Sequence, residues 1–151
     1  MKITFGKYDG KTLEQILLTD PAYVRQILSV SDPDDDLKAV IAEAWRMIEL
    51  FEAKPLTGMC YKINCGKAAT RIFLYIGSPA LTFWCDKCDP YSRGATQGKL
   101  REVKEYLDVE DYVARYFKGR KSDLQVIFRA VLEAKEGPKP VTERAAKAFF
   151  S

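Results

Sequence analysis

Residues 60–88 read CYKINCGKAATRIFLYIGSPALTFWCDKC, and this stretch decides how the middle of the chain folds. It opens with a Cys-x4-Cys pair, closes with a Cys-x2-Cys pair, and contains all 4 cysteines of the chain. Two close pairs separated by a short hairpin can bring four thiolates around one tetrahedral metal ion. We therefore predict one structural zinc ion per chain, bound by Cys60, Cys65, Cys85 and Cys88.

The same cysteines allow three other interpretations. Two disulfides would need an oxidising compartment, and the sequence shows no export signal. A redox-active pair at Cys85 and Cys88 would lack a βαβ setting and would leave the other pair unexplained. An iron–sulfur cluster also binds four thiolates, and the spacing leaves it open. In a zinc site the four thiolates leave no vacant position, so the metal is expected to be structural rather than catalytic.

Two strands are predicted between the cysteine pairs, because Thr70 to Ile76 and Leu81 to Cys85 are rich in β-branched and aromatic residues. Gly77-Ser78-Pro79 is expected to form the turn that joins them. Side chains alternate between the two faces of a strand, so one face of the first strand carries three side chains that could meet a ligand: Arg71, Phe73 and Tyr75.

The N-terminal segment predicts a short hairpin around Asp9-Gly10, followed by helices. Thr12 with Gln15 has the form of a capping box at the start of the first helix. Asp20 and Asp32 each precede a proline, which predicts a helix N-terminus at both places. Wherever a helix begins, the first turn favours acidic residues through the helix dipole.

The helix predicted to begin at Asp32 has the clearest apolar stripe in the chain. We expect Trp45, Ile48 and Phe51 to be buried on that stripe. On this expectation, replacing Trp45 with alanine would cost about 3–5 kcal/mol.

The C-terminal third is predicted to be helical. Leu100, Val103 and Leu107 indicate one helix, residues 109–117 a second, residues 124–132 a third with a Ser122–Gln125 capping box, and residues 142–150 a last short one. The sequence thus predicts an α+β fold that is mostly helical, with a short N-terminal hairpin and a small zinc-bound β-hairpin module. We expect the chain to divide into three segments: residues 1–57, 58–95 and 96–151. These segments could also pack as one compact domain.

Composition narrows the function. Hydrophobic residues make up 47% and charged residues 30%, as in a folded globular protein. No apolar run approaches the length of a membrane span, and no signal-peptide core follows Met1, so we expect a cytoplasmic protein. Histidine is absent, which excludes imidazole bases and histidine metal ligands. The net charge of +3 neither requires nor excludes a polyanionic partner.

A second motif lies near the N-terminus, where Phe5-Gly6-Lys7-Tyr8-Asp9-Gly10-Lys11-Thr12-Leu13 is followed by Asp20-Pro21-Ala22-Tyr23-Val24-Arg25. These strings resemble the module at the C-terminal end of exonuclease X-type proteins, over about residues 3–30. Gln26 departs from the aromatic residue that often follows the arginine in that family. The nuclease activity of the family resides in a separate domain, so the resemblance implies an accessory module of DNA metabolism and no catalytic residues. Residues 58–95 in turn resemble a zinc ribbon.

Basic and aromatic residues alternate near the cysteines, and this pattern is typical of proteins that bind single-stranded nucleic acid. We therefore expect a non-enzymatic nucleic-acid-binding or nucleic-acid-processing accessory protein. Its candidate contact residues lie near both motifs: Lys7, Lys11, Lys62, Lys67, Arg71, Phe73, Tyr75, Lys87 and Arg93.

Two alternatives stay open at this point. The aromatic residues of the strand could pack under the C-terminal helices, and the N-terminal lysines could simply be solvated. The protein could then be a protein–protein interaction module, such as a phage-encoded regulator of a host complex.

Overall fold

The structure is a computed structural model that describes residues 1–93 and 98–151. The helices are α1 (Leu13–Thr19), α2 (Pro21–Leu28), α3 (Asp35–Ala53), α4 (Asp108–Tyr116), α5 (Lys121–Ala134) and α6 (Glu143–Phe149), and the strands are β1 (Arg71–Tyr75), β2 (Leu81–Trp84) and β3 (Leu100–Val103). The predicted α+β class is confirmed. The chain divides into two compact units: unit 1 comprises residues 1–53 and 137–151, and unit 2 comprises residues 54–136.

Unit 1 is a group of helices around α1, which packs against α2, α3 and α6. Its core is apolar, with Leu13, Leu17, Val24 and Ala44 fully buried. The predicted caps of the first two helices are confirmed. Thr12 and Gln15 form the complete capping box of α1, and the carboxylate of Asp20 accepts the backbone N–H of Tyr23 at the start of α2.

The N-terminal hairpin is reduced to a closed loop. The backbone N–H of Ile3 donates to the carbonyl of Lys11 at 2.8 Å, and that of Gly10 donates to the carbonyl of Ile3 at 2.8 Å. Between them, a 3-10 turn at Gly6–Tyr8 replaces the strand expected near Tyr8. Gly6 and Gly10 have φ values of +68° and +85°, which a regular strand cannot accommodate.

Helix α3 begins later than predicted. It starts at Asp35, and the carboxylate of Asp34 accepts the backbone N–H of Leu37 at 2.8 Å, so Asp34 rather than Asp32 caps it. The prediction for Trp45 is wrong, because its side chain is 48% exposed, whereas Ile48 and Phe51 are buried as expected.

The apolar stripe of α3 explains why Trp45 is exposed. The buried positions are Val40, Ala44, Met47, Ile48 and Phe51. Trp45 follows Ala44 directly and lies about 100° further round the helix, at the edge of that stripe. The indole ring of Trp45 can therefore lie beside the apolar stripe without entering the core, and Met47 is buried instead.

Unit 2 contains a three-stranded antiparallel sheet in the order β2-β1-β3. The two strands predicted between the cysteine pairs are confirmed as β1 and β2. The helix predicted from Leu100, Val103 and Leu107 is wrong: Leu100 and Val103 lie in β3, which pairs with β1 through Ile72 opposite Val103 and Tyr75 opposite Leu100. Apolar residues three apart fit a helix, but in β3 one packs on each face of the sheet.

Helices α4 and α5 complete unit 2. They pack against each other, α4 also packs against β3, and α5 packs against β2. The hydroxyl of Tyr112 donates to the carbonyl of Tyr75 at 2.6 Å and to that of Ser78 at 2.9 Å, which attaches α4 to the β1–β2 turn. The predicted capping box at Ser122 is wrong, because α5 begins at Lys121 and its N-cap residue is Arg120. Among the described residues, no helix combines the length and the apolarity needed to cross a bilayer.

Candidate metal centre and nucleic-acid interface

The four cysteines converge on one point. Their sulfur atoms all lie within 4.8 Å of one another, and the Sγ of Cys65 lies 3.8 Å from those of both Cys85 and Cys88. A tetrahedral site with metal–sulfur bonds of about 2.3 Å has sulfur–sulfur edges of about 3.8 Å. A disulfide would instead bring two sulfur atoms to about 2.05 Å, and all four cysteines are free thiols. The donor set and its spacing therefore fit a metal ion.

Two tight backbone turns hold the sulfur atoms in place. In the first turn, the N–H of Cys65 donates to the carbonyl of Lys62 at 3.1 Å, and Asn64 and Gly66 adopt positive φ. In the second turn, the backbone N–H groups of Lys87 and Cys88 point at the sulfur of Cys85. Such N–H groups stabilise a thiolate, which is the form that binds metal.

The pKa values of Cys85 and Cys88 shift in opposite directions. Burial raises the pKa of Cys85, but hydrogen bonds from the backbone N–H groups of Lys87 and Cys88 and from the neighbouring Cys88 and Cys65 thiols outweigh burial and lower that pKa to about 6. Burial and the neighbouring sulfur atoms raise the pKa of Cys88 to about 12. Four thiolates packed this closely repel one another, and a dication between them removes that repulsion.

Arg71 supports the second turn of the metal centre. Its guanidinium Nη2 donates to the carbonyl of Cys85 at 2.7 Å and also to the carbonyl of Cys88. Its Cζ lies 5.4 Å from the ring centroid of Phe73, and Phe73 packs against the cysteine cluster together with the buried Trp84. Arg71 and Phe73, two of the three residues on the predicted face of β1, therefore contact the metal module. Sequence reasoning missed this role because the bonds of Arg71 join residues 14 and 17 positions apart.

The two loops that carry the cysteines are the first metal loop, residues 59–67, and the second metal loop, residues 85–88. The first metal loop presents an exposed apolar surface that was not predicted from the sequence. Met59 is 54%, Tyr61 53% and Ile63 83% exposed. The ring of Tyr61 leans edge-on against that of Phe83 at 5.6 Å, and its hydroxyl donates to the carbonyl of Leu81 at 3.2 Å. The signal was present in the sequence, since Tyr61 and Ile63 lie in a short loop between two ligands and Met59 directly precedes it, and so short a loop cannot bury all of these large apolar side chains.

Lysines accompany these side chains on the metal loops. Lys67 and Lys87 are exposed and Lys62 is half-buried, and each lies within two residues of a cysteine ligand. Tyr75 is half-buried at the far end of β1. Arg93 closes the 3-10 turn Pro90–Arg93, and its side chain lies outside the described residues.

In unit 1, Lys7 lies within a small cluster of motif residues. Its Nζ is 3.1 Å from the carboxylate of Asp20, which also accepts the hydroxyl of Tyr8 at 2.7 Å. The same ammonium lies 5.2 Å from the ring centroid of Tyr23. A Cβ on Gly6 would collide with the Tyr23 hydroxyl, and the φ of +68° is unfavourable for any other residue, so this position favours glycine. Most of the motif residues therefore build the N-terminal loop. Lys11 is exposed.

The Tyr8–Asp20 contact makes unit 1 sensitive to pH at both extremes. Burial raises the pKa of Asp20, but hydrogen bonds from Tyr8, the Tyr23 N–H and Lys7 outweigh it and hold that pKa below its ordinary value. Its contribution to stability is therefore present above about pH 4 and is lost as the pH falls through the folded pKa. Burial and Asp20 raise the pKa of Tyr8 to about 12. The contribution of Tyr8 is therefore complete below about pH 10 and is lost as the pH rises towards 12.

Replacing Tyr8 with phenylalanine tests this contact. The variant should lose about 1 kcal/mol at neutral pH, and the difference from the parent should shrink between pH 10 and 12. Chemical denaturation followed by circular dichroism at pH 7, 10 and 11.5 measures both effects. Tyr61→Phe is the matched control, because it removes a hydroxyl whose hydrogen bond to the Leu81 carbonyl at 3.2 Å is exposed to solvent. A Tyr8→Phe difference that does not change with pH contradicts the assignment.

Comparison with known proteins adds one match. The profile of the exodeoxyribonuclease X-like C-terminal family matches residues 3–29, which lie in unit 1 and contain the Lys7–Tyr8–Asp20 cluster. No match to the chain was found among curated proteins or among solved structures. Residues 3–29 of this chain are thus similar to that C-terminal module, and the four-cysteine segment lies outside the match.

Proposed function

We propose that the chain is a non-enzymatic, zinc-stabilised accessory protein that binds single-stranded nucleic acid. One observation carries the proposal: loops held by four converging cysteines present exposed apolar side chains beside lysines. Bases stack on exposed rings while lysines contact phosphates, and this combination suits a single strand. The match of residues 3–29 to an exodeoxyribonuclease X-like module supports a role in nucleic-acid metabolism.

Zinc is the metal we propose for the cysteine site. Its preferred tetrahedral four-sulfur geometry agrees with the 3.8 Å sulfur separations. Four thiolate ligands leave no open coordination position, so the metal would hold the loops and take no part in chemistry. Because the ligands must be thiolates, we expect the protein to act in the reducing cytoplasm.

In this proposal, Tyr61 is the principal stacking residue. Its ring is exposed on one side and supported by Phe83 on the other, so it is already oriented before a base arrives. Lys67 and Lys87 are exposed cations on the two metal loops. Arg71 and Phe73, already engaged with the metal module, would contribute by holding these loops in position.

Fluorescence anisotropy with short labelled oligonucleotides tests this surface. Tyr61→Ala should lose roughly 1–3 kcal/mol of binding free energy with little change in the salt dependence. Lys67→Ala with Lys87→Ala should weaken binding to all sequences alike and flatten the salt dependence. Trp45→Ala removes an exposed ring from unit 1 and is the matched control, with no expected change.

The metal content of each variant should equal that of the parent, which separates lost contacts from a collapsed site. If the parent binds no oligonucleotide even at low salt, the proposal is wrong. The exposed apolar surface would then favour a protein partner.

A further inference from the structure

A strongly basic surface lies in unit 2, far along the chain from the cysteines. It is the basic turn, residues 115–121, which joins the last turn of α4 to the first residue of α5 and reads RYFKGRK. It contains four cations and no carboxylate: Arg115, Lys118, Arg120 and Lys121. All four side chains are exposed. Such a density of like charge on a surface favours a polyanionic partner.

The basic turn is ordered rather than loose. The N–H of Gly119 donates to the carbonyl of Val113 at 3.0 Å, and that of Arg120 donates to the carbonyl of Phe117 at 3.1 Å. Phe117 is buried, and the guanidinium of Arg120 lies 6.0 Å from its ring centroid. A cation held in one place loses less conformational entropy when it meets a phosphate.

Tyr116 extends the surface with a half-buried ring. The guanidinium carbons of Arg101 and Arg115 lie 5.9 and 5.8 Å from its centroid. These contacts orient both arginines around the ring. The arrangement combines a π-face with cations, which is what a single strand requires.

Carboxylates of unit 2 cancel part of this charge. Asp111 of α4 lies one turn before Arg115 on the same side of the helix and offsets part of its charge, whereas Asp108 lies about two turns before Arg115. Asp123 pairs with Arg120 at 2.8 Å. Lys118 and Lys121 are two further exposed cations of the turn. The N-cap residue of α5, Arg120, makes no side-chain cap hydrogen bond, and the positive end of the helix dipole lies at the same turn, where Asp123 offsets part of it.

The metal loops and the basic turn lie at opposite ends of the central strand. Arg71 begins β1 and contacts the metal module, whereas Tyr75 ends β1 and is held by Tyr112 of α4. The rings of Tyr112 and Tyr116 lie 5.0 Å apart. The five residues of β1 span about 13 Å, so an extended single strand of a few nucleotides can reach from one surface to the other.

We propose that the basic turn binds the phosphate backbone of the single-stranded nucleic acid whose bases contact the metal loops. The inference rests on the proposed function. It adds a phosphate-binding surface to it and predicts that the occluded site is longer than the metal loops alone would cover. Contacts of this kind carry little sequence information and a strong dependence on salt.

The test is a salt titration of oligonucleotide binding by the full chain. The triple variant Arg115→Gln, Lys118→Gln and Lys121→Gln keeps the paired Arg120. Its slope of log affinity against log salt should be smaller by about 2, because three phosphate contacts on a single strand contribute about 0.7 each. The control triple variant Arg129→Gln, Arg144→Gln and Lys147→Gln also removes three exposed cations, and its slope should match that of the parent.

Each outcome decides between the two proposals. If the basic-turn variant keeps the parent slope while Tyr61→Ala weakens binding, the basic turn is not a contact surface and the proposed function stands. If only the basic-turn variant loses affinity, the basic turn is the binding surface and the metal loops are not. Equal loss in both triple variants indicates nonspecific attraction and overturns the inference. A parent protein that prefers duplex to single-stranded nucleic acid also overturns the inference. A parent protein that binds no oligonucleotide overturns both the inference and the proposed function.

Discussion

Replacing Cys85 with serine is expected to unfold the segment from Gly58 to Pro90 and to release the metal. The buried cluster around the metal centre consists of three cysteines and Trp84, with Cys65 and Phe73 packed against it, so metal binding is expected to supply a large part of the stability of this segment. Structural zinc sites contribute about 10–16 kcal/mol in small peptides, which exceeds the total stability of many domains. Loss of near-ultraviolet circular dichroism, together with a metal content far below one equivalent, measures the effect.

The exposed Met59 supplies a control for this experiment. Met59→Ser changes a neighbour of a ligand without touching the cluster, so it should keep both the metal and the fold. Elemental analysis of the parent should find one zinc per chain, and iron would redirect the assignment to a cluster. A Cys85→Ser variant that melts like the parent would show that the metal is incidental to folding.

The two tryptophans should respond in opposite ways to truncation. Trp84 is only 6% exposed, packs within the cysteine cluster and donates its indole N–H to Thr82 at 2.9 Å. Trp84→Ala should therefore cost about 3–5 kcal/mol in unit 2. Trp45 is 48% exposed on α3, so Trp45→Ala should cost no more than about 0.5 kcal/mol.

Each variant leaves a single tryptophan, which makes fluorescence a direct readout. The variant that retains Trp45 should emit at long wavelength and be quenched by iodide, and the variant that retains Trp84 should be shielded until it unfolds. Denaturant titrations of both variants give the two costs, each taken from the unfolding transition of the unit that carries the substitution. A large cost at Trp45 would contradict the exposed position of its ring.

Local signals account for what could be predicted correctly. Helix caps involve residues three or four positions apart, so Thr12 with Gln15 and Asp20 with Tyr23 were readable directly. The alternation of β1 was equally local, with Ile72 and Leu74 buried and the residues between them half-buried. The cysteine spacing belongs with these, because thiolate chemistry and two short turns define the candidate ligands before any tertiary contact exists.

Long-range contacts decided the secondary structure that local signals did not predict. The segment Leu100–Val103 has too few residues to distinguish a helix from a strand, and pairing with β1 made it β3. The start of α5 depended on the turn with Gly119 rather than on Ser122, whose spacing to Gln125 suited a capping box equally well.

The sequence by itself determined which side chains could bind a metal, the caps of the first two helices and the strands β1 and β2, because those properties depend on residue type and short spacing. Only the tertiary structure decided which basic and aromatic residues already have partners. Lys7 is paired with Asp20, and Arg71 is bonded to the carbonyls of the second metal turn. Tyr61 remains exposed. Whether a cationic side chain is free to bind a ligand depends on partner groups that are distant in the sequence, and residue type alone does not reveal them.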